Sequence, residues 1–170
     1  LATAVAGDGV AVQGMTGGQW PLSAARKGLL VVDTEGMDWI NDLEGCSLYT
    51  LYDKVVVTQG ESVARAKITP FAIAGPLIEE AEATARSRGG VIRVVPFRAH
   101  SVGAIVKETL EPSARERFQA VLGEKIGWFG STLLPVQYSA ATSAAIGEAA
   151  MILRQSGATL LLMAGANAMD

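Results

Sequence analysis

The sequence has very few of the residues that build metal centres and covalent cross-links. Among its 170 residues, Cys46 is the single cysteine and His100 the single histidine. One cysteine cannot form an internal disulfide, and one cysteine with one histidine cannot supply the ligands of a structural zinc site. Any metal that this chain binds must therefore be held by oxygen ligands.

The chain also lacks an excess of positive charge. It has 14 Lys and Arg against 17 Asp and Glu, which gives a formal net charge of −3 and an isoelectric point near 5.2. A nucleic-acid-binding surface concentrates Lys and Arg in a patch or stripe, and no such cluster is present. We therefore do not expect this protein to bind nucleic acid.

Long hydrophobic runs are missing as well. No apolar run approaches the ~20 residues that cross a bilayer, and no basic, apolar and small-residue pattern typical of a signal peptide occurs. We therefore expect a soluble, cytoplasmic protein without a membrane partner. With 49% hydrophobic residues, the chain has enough apolar surface for one domain or two small ones.

The first part of the sequence is typical of a small β-rich subdomain, which we place at residues 1–69. Short β-rich runs such as residues 28–33 and 53–57 alternate with glycine-containing turns, for example Gly17-Gly18 and Gln59-Gly60. Glycine adopts the positive φ that tight turns require. Residues 38–43 predict a single helical turn. Residues 70–100 then predict a linking helix and an extended connector, with Pro96 at its end.

Residues 101–170 predict alternating strands and helices, in the order strand, helix, strand, helix, strand. Residues 102–106 and 159–163 are almost continuous apolar runs, as expected for parallel strands covered by helices on both faces. Pro112 predicts the start of the first helix, with a buried stripe at Phe118, Val121, Leu122 and Ile126, and Thr142 or Ser143 caps the second. The predicted fold is therefore a three-layer αβα domain with mainly parallel strands. It is truncated, because the chain stops one loop after a central strand.

Three loops follow the predicted strands, and parallel strands bring their carboxyl ends to one edge of a sheet. In open α/β sheets this edge holds the ligand. Helix N-termini and Lys107 favour a phosphate or carboxylate there, and hydroxyl and amide groups supply hydrogen bonds. Glu108 and Asp170 supply the carboxylates that Mg²⁺ prefers. The candidate ligand-binding residues are Lys107, Glu108, Thr109, Ser139, Thr142, Gly165, Ala166 and Asn167.

Each of these residues also has a simpler interpretation. Ser and Thr before a helix are most often caps, and a Lys-Glu pair after a strand is usually a solvated turn. A generic nucleotide-binding domain is a weaker alternative, because no Gly-x-Gly-x-x-Gly or phosphate-loop sequence follows any strand.

The chain resembles the molybdopterin-binding domains of the molybdenum cofactor biosynthesis superfamily, which includes molybdopterin adenylyltransferases and molybdotransferases. The resemblance rests on residues 96–103 (PFRAHSVG) and 158–165 (ATLLLMAG), which frame the first and last strands. Residues 27–33 (KGLLVVD), the Ile40-Asn41 turn and residues 60–71 (GESVARAKITPF) are similar to the β region that precedes this domain in a divergent branch.

The resemblance implies that molybdopterin is the ligand or substrate, that the pterin phosphate binds at the strand ends, and that Asp170 is catalytic and holds Mg²⁺. It also implies a homo-oligomer and, if the chain is active, a nucleotidyl- or molybdo-transferase. Several loop residues depart from the family pattern. Members carry a Thr-Gly pair after the first strand and Gly-Gly after the third, where this chain has Lys107-Glu108-Thr109-Leu110 and Gly165-Ala166. The alternative is therefore a non-catalytic ligand-sensing or scaffold module.

Overall fold

The computed structural model describes residues 1–70 and 72–165. The chain divides into two compact units, Leu1–Phe97 and a second unit that starts at Arg98. Each unit has its own hydrophobic cluster.

The described residues of the first unit combine short strands with three helices. The helices are α1 (Ala2–Val5), α2 (Thr34–Asp42) and α3 (Gly75–Ser87). The strands are β1 (Val10–Val12), β2 (Gln19–Ala24), β3 (Gly28–Val32), β4 (Cys46–Thr50), β5 (Val56–Val57), β6 (Ser62–Ile68) and β7 (Ile92–Val95).

These strands form two antiparallel sheets, with the orders β1-β2-β6-β4 and β5-β3-β7. Antiparallel neighbours can be joined by tight turns, whereas parallel neighbours need long crossovers. Gly17 and Gly18, with φ of 59° and 74°, make the turn between β1 and β2. The glycine turn therefore explains the antiparallel pairing of β1 with β2, whereas β6 and β7 pair with strands that are distant in sequence.

Helix α2 is longer than the single turn predicted at residues 38–43, because Asp33 caps it. The Asp33 carboxylate accepts a hydrogen bond of 3.1 Å from the Gly36 N–H. It also accepts one of 2.7 Å from the Arg88 guanidinium, which follows α3. Both interactions hold the pKa of Asp33 below its ordinary value, Arg88 having the larger effect. Local capping and one long-range ion pair thus fix the start of α2.

The predicted three-layer αβα fold with mainly parallel strands is wrong, because two of the three sheets that the described residues form are antiparallel. Residues 91–97, predicted as a connector into the parallel sheet, instead contain β7. This strand pairs antiparallel with β3, with Leu30 opposite Val94. Its buried residues Ile92 and Val94 belong to the core of the first unit. The alternation of buried and exposed residues in β7 therefore belongs to a paired strand, and the prediction of an unpaired connector was wrong.

The second unit contains the parallel sheet. Its elements are β8 (Ser101–Val106), α4 (Pro112–Trp128), β9 (Thr132–Leu133), β10 (Gln137–Tyr138), α5 (Ser143–Gln155) and β11 (Leu160–Ala164). Strand β8 pairs in parallel with β11, and with both β9 and β10. The predicted second strand, residues 131–136, is shortened to β9, because Pro135 has no N–H to donate, and β10 lies just beyond the predicted bounds.

Helix α5 packs tightly on the central strand of this sheet. Ile105 of β8 is buried with Ala149 and Leu153 of α5. A β-carbon at Gly103 would lie 2.9 Å from Leu153 Cδ1 and 3.0 Å from Leu161 Cδ2. Glycine at this position therefore lets the helix approach the sheet closely.

Two predictions about burial in this unit are wrong. Of the predicted stripe on α4, Ile126 is buried while Val121 is 46% exposed. Strand β11 was expected to be covered on both faces, yet Leu160, Leu161, Leu162 and Met163 are all exposed. A run of apolar residues shows that a helix or strand has a surface that favours burial. It does not show that another element packs on that surface.

Within residues 1–70 and 72–165, no helix combines the length and the apolar character that crossing a bilayer requires.

Candidate functional site

The carboxyl ends of the parallel strands β8, β10 and β11 lie side by side. Val106, the last residue of β8, is in register with both Tyr138 of β10 and Ala164 of β11. The pairing continues into the loops, since the Lys107 N–H donates to the Ala164 carbonyl at 2.9 Å and the Ser139 N–H donates to the Val106 carbonyl at 3.0 Å. The three predicted strand-end loops therefore begin at the same edge of the sheet.

Lys107 and Gly165 are in direct contact at this edge. A β-carbon at Gly165 would overlap Lys107 Cγ and lie 2.9 Å from Lys107 Cε. The aliphatic stem of Lys107 thus lies over the Gly165 α-carbon. Among the described residues, no carboxylate forms an ion pair with the Lys107 ammonium group. The contact holds the lysine stem at the sheet edge and leaves its charge available to an anion.

The hydroxyl groups predicted for the site make local hydrogen bonds. Thr142 is the N-cap of α5, and its side chain accepts from the Ala145 N–H at 3.3 Å. The Ser139 hydroxyl donates to the Ala140 carbonyl at 3.1 Å. The cap predicted for Thr142 is confirmed, and both hydroxyls are part of the turn that leads into α5.

The remaining predicted residues fall into two groups. Glu108 is half-buried and Thr109 is exposed in the bend after β8. Ala166, Asn167 and Asp170 lie outside the described residues, and so does the predicted magnesium-binding and catalytic role of Asp170. In the part of the chain that the structure describes, no group of three or more His, Cys, Asp or Glu side chains could hold a metal ion.

An aromatic and cationic cluster at the same edge was missed by the sequence analysis. The Arg115 guanidinium carbon lies 4.4 Å from the centroid of the Tyr138 ring, and Arg115 Nε donates to the Leu110 carbonyl at 2.9 Å. One helical turn later, Gln119 Nε2 donates to the Tyr138 hydroxyl at 3.4 Å. The available signal was an arginine in the first turn of the helix that opens directly after a strand-end loop.

Two clefts are lined by residues other than the predicted site residues, and the first of them includes Leu110 of the loop after β8. One, of about 530 Å³, runs along α4 and is lined by Phe118, Val121 and Leu122 with Arg117 and Lys125 beside them. The other, of about 500 Å³, lies in the first unit and is lined largely by apolar residues, among them Trp20, Ile68 and Ile78. Neither contains the convergent polar groups expected of a specific small-molecule site.

Cys46 is equally unsuited to a reactive role. It is 4% exposed in the core of the first unit. Burial raises the pKa of its thiol, so the nucleophilic thiolate is disfavoured at neutral pH.

In comparisons with known proteins, no protein-family model, curated protein or solved structure matches this chain.

Proposed function

We propose that this protein binds a molybdopterin-type ligand through its phosphate at the carboxyl edge of the parallel sheet, in molybdenum cofactor biosynthesis or handling. The observation that carries the proposal is the contact between Lys107 and Gly165. It joins the loops after β8 and β11 and provides a cation at the edge where α/β sheets bind ligands. A residue larger than glycine at position 165 would fill the space that the lysine stem occupies.

The two helices that follow the strand-end loops support an anionic ligand. Helix α4 begins at Pro112 and α5 at Ser143, each a few residues after a strand that ends at this edge. The free N–H groups at a helix N-terminus and its partial positive charge favour phosphate. Lys107 adds a full charge, so the pterin phosphate has three sources of positive potential near one edge.

The resemblance of residues 96–103 and 158–165 to molybdopterin-binding domains is the reason for choosing a pterin over other phosphate esters. The proposal keeps Asp170 as the magnesium ligand and catalytic group. Glu108, Thr109, Ser139, Thr142, Ala166 and Asn167 remain the proposed ligand-binding residues beside Lys107 and Gly165. A homo-oligomer is proposed on the same resemblance.

A non-catalytic ligand-sensing or scaffold module is the second candidate. Thr142 uses its side-chain oxygen to cap α5, and the chain has Lys107-Glu108 where the family carries its Thr-Gly pair. Phosphoryl transfer depends on close backbone approach to phosphate and on carboxylates that hold magnesium. The changed loop therefore favours binding without turnover.

Calorimetric titration of the protein with molybdopterin under anaerobic conditions, with and without Mg-ATP, tests the proposal. Saturable binding with nucleotide-dependent turnover that is lost in Asp170→Ala would support a biosynthetic enzyme. Binding without turnover would support the sensing module. The absence of binding would contradict both.

A further inference from the structure

We infer that Arg115 is a second anion-binding residue of this site and that, with Lys107, it selects a ligand that carries a phosphate group. The inference rests on the proposed function for the identity of the ligand. Arg115 belongs to none of the predicted strand-end loops, and its position follows from contacts within the second unit.

Arg115 is held at the sheet edge by two contacts. Its Nε–H donates to the Leu110 carbonyl at 2.9 Å, which ties the side chain to the loop after β8. Its guanidinium stacks on the ring of Tyr138, with 4.4 Å between the guanidinium carbon and the ring centroid. Tyr138 is in register with Val106, the residue before Lys107. The two contacts therefore connect Arg115 to two of the three strand ends that form the candidate site.

A hydrogen bond also restrains the Tyr138 side chain, on whose ring Arg115 stacks. Gln119, one turn after Arg115 on α4, donates to the Tyr138 hydroxyl at 3.4 Å. Arg115 and Gln119 of α4 thus both contact Tyr138, the first through its ring and the second through its hydroxyl group. A cation stacked on an aromatic ring loses little further side-chain freedom when a ligand binds.

These contacts leave most of the guanidinium free to bind a ligand. A guanidinium has five N–H donors in a planar fork, and the Leu110 carbonyl takes the one on Nε. No carboxylate of the described residues forms an ion pair with Arg115. The remaining Nη donors match two oxygens of a phosphate in bidentate geometry.

The test compares ligands with and without phosphate. Affinities would be measured calorimetrically for inorganic phosphate, for molybdopterin and for dephosphorylated molybdopterin. We expect Arg115→Ala to weaken the binding of phosphate and of molybdopterin by about tenfold or more, and that of the dephosphorylated pterin by less than about twofold. Arg115→Lys keeps the charge but not the fork, so it should recover only part of the loss. Arg117→Ala, on the same helix, is the matched control and should bind all three ligands as the wild type does.

The outcomes separate this inference from the proposed function. If the wild type binds phosphate with the expected dependence on Arg115 but neither pterin, the inferred role of Arg115 holds and the pterin assignment fails. If both pterins bind equally well and Arg115→Ala weakens them equally, the inference is overturned, because Arg115 is then structural. Of the proposed function, the pterin ligand would then survive, but its attachment through the phosphate would not. Failure of the wild type to bind any phosphate-bearing ligand would also overturn it. Should Arg115→Ala not fold, Arg115→Lys and Tyr138→Leu, which removes the aromatic face, give the same comparison.

Discussion

The aliphatic stem of Lys107 occupies the space that a β-carbon at Gly165 would need. The two residues follow neighbouring parallel strands, β8 and β11, whose last residues are in register. A glycine at the end of one strand thereby determines where the cation after the other strand can lie.

Substituting Gly165 with alanine should displace Lys107 and weaken the binding of molybdopterin by about tenfold, because a misplaced cation loses most of its interaction with a phosphate. The melting temperature should also fall, because Gly165 has a φ of 156°, a backbone conformation that a residue with a β-carbon rarely adopts. Gly147→Ala in α5 is the matched control, because a β-carbon there meets no atom within 4 Å. It should leave binding unchanged and raise stability by roughly 0.5 to 1 kcal/mol. Equal effects of both variants on binding would show that the contact has no role in the site.

Thr142 should contribute to stability as a helix cap. Thr142→Ala removes the acceptor for the Ala145 N–H, and loss of such a cap costs about 1 kcal/mol in the free energy of unfolding. Thr142→Ser keeps the acceptor and should restore the wild-type value. Chemical denaturation followed by circular dichroism measures both. A stability of Thr142→Ala equal to that of the wild type would mean that the cap is not formed in solution.

The ion pair between Asp33 and Arg88 should make the stability of the first unit depend on pH. The pKa of Asp33 is lowered on folding, so its contribution is fully present above the unfolded pKa of about 3.9 and is lost as the pH falls through the lower, folded value. Asp33→Asn keeps a capping oxygen but removes the charge. At pH 7 this variant should be less stable than the wild type by up to about 1 kcal/mol.

The difference between wild type and Asp33→Asn should then shrink in acid, as urea titrations at pH 7 and at successively lower pH would show. Arg93→Ala serves as a control for the removal of a nearby arginine that is not hydrogen-bonded to Asp33, and its effect should be smaller than that of Arg88→Ala. A difference between wild type and Asp33→Asn that stayed constant down to pH 2 would rule out the ion pair as its cause.

Gly103 should be intolerant of a side chain. A β-carbon there would lie 3.0 Å from Leu153 Cβ and 3.0 Å from Leu161 Cδ2, and overpacking of this kind typically costs about 1 to 3 kcal/mol. We therefore expect Gly103→Ala to lower the unfolding midpoint of the second unit. Gly123→Ala in α4, whose nearest neighbour is Leu133 at 3.9 Å, should not. Equal stability of the two variants would contradict the close packing of α5 on β8.

Local signals in the sequence predicted the starts of α4 and α5 well. Pro112 marks the first turn of α4 and Thr142 caps α5, as expected, because these preferences depend on a few neighbouring residues. The apolar runs also located β8 and β11, so the order of elements in the second unit could be predicted.

Long-range pairing could not be predicted in the same way. Ile92 and Val94 alternate with exposed residues, but nothing in that pattern indicates that their strand pairs antiparallel with residues far earlier in the chain. The stacking of Arg115 on Tyr138 was missed for the same reason, since the two residues belong to different elements. The fold class was therefore wrong, while the loops at the edge of the parallel sheet were placed together correctly.

The most direct measurement is the affinity of molybdopterin for Lys107→Ala compared with Lys125→Ala, a variant that removes the same charge from the cleft along α4. We expect Lys107→Ala to weaken binding at least about tenfold relative to the wild type, or roughly 1.4 kcal/mol, and Lys125→Ala to leave it unchanged. Equal affinities for the two variants would contradict a phosphate site at the edge of the parallel sheet.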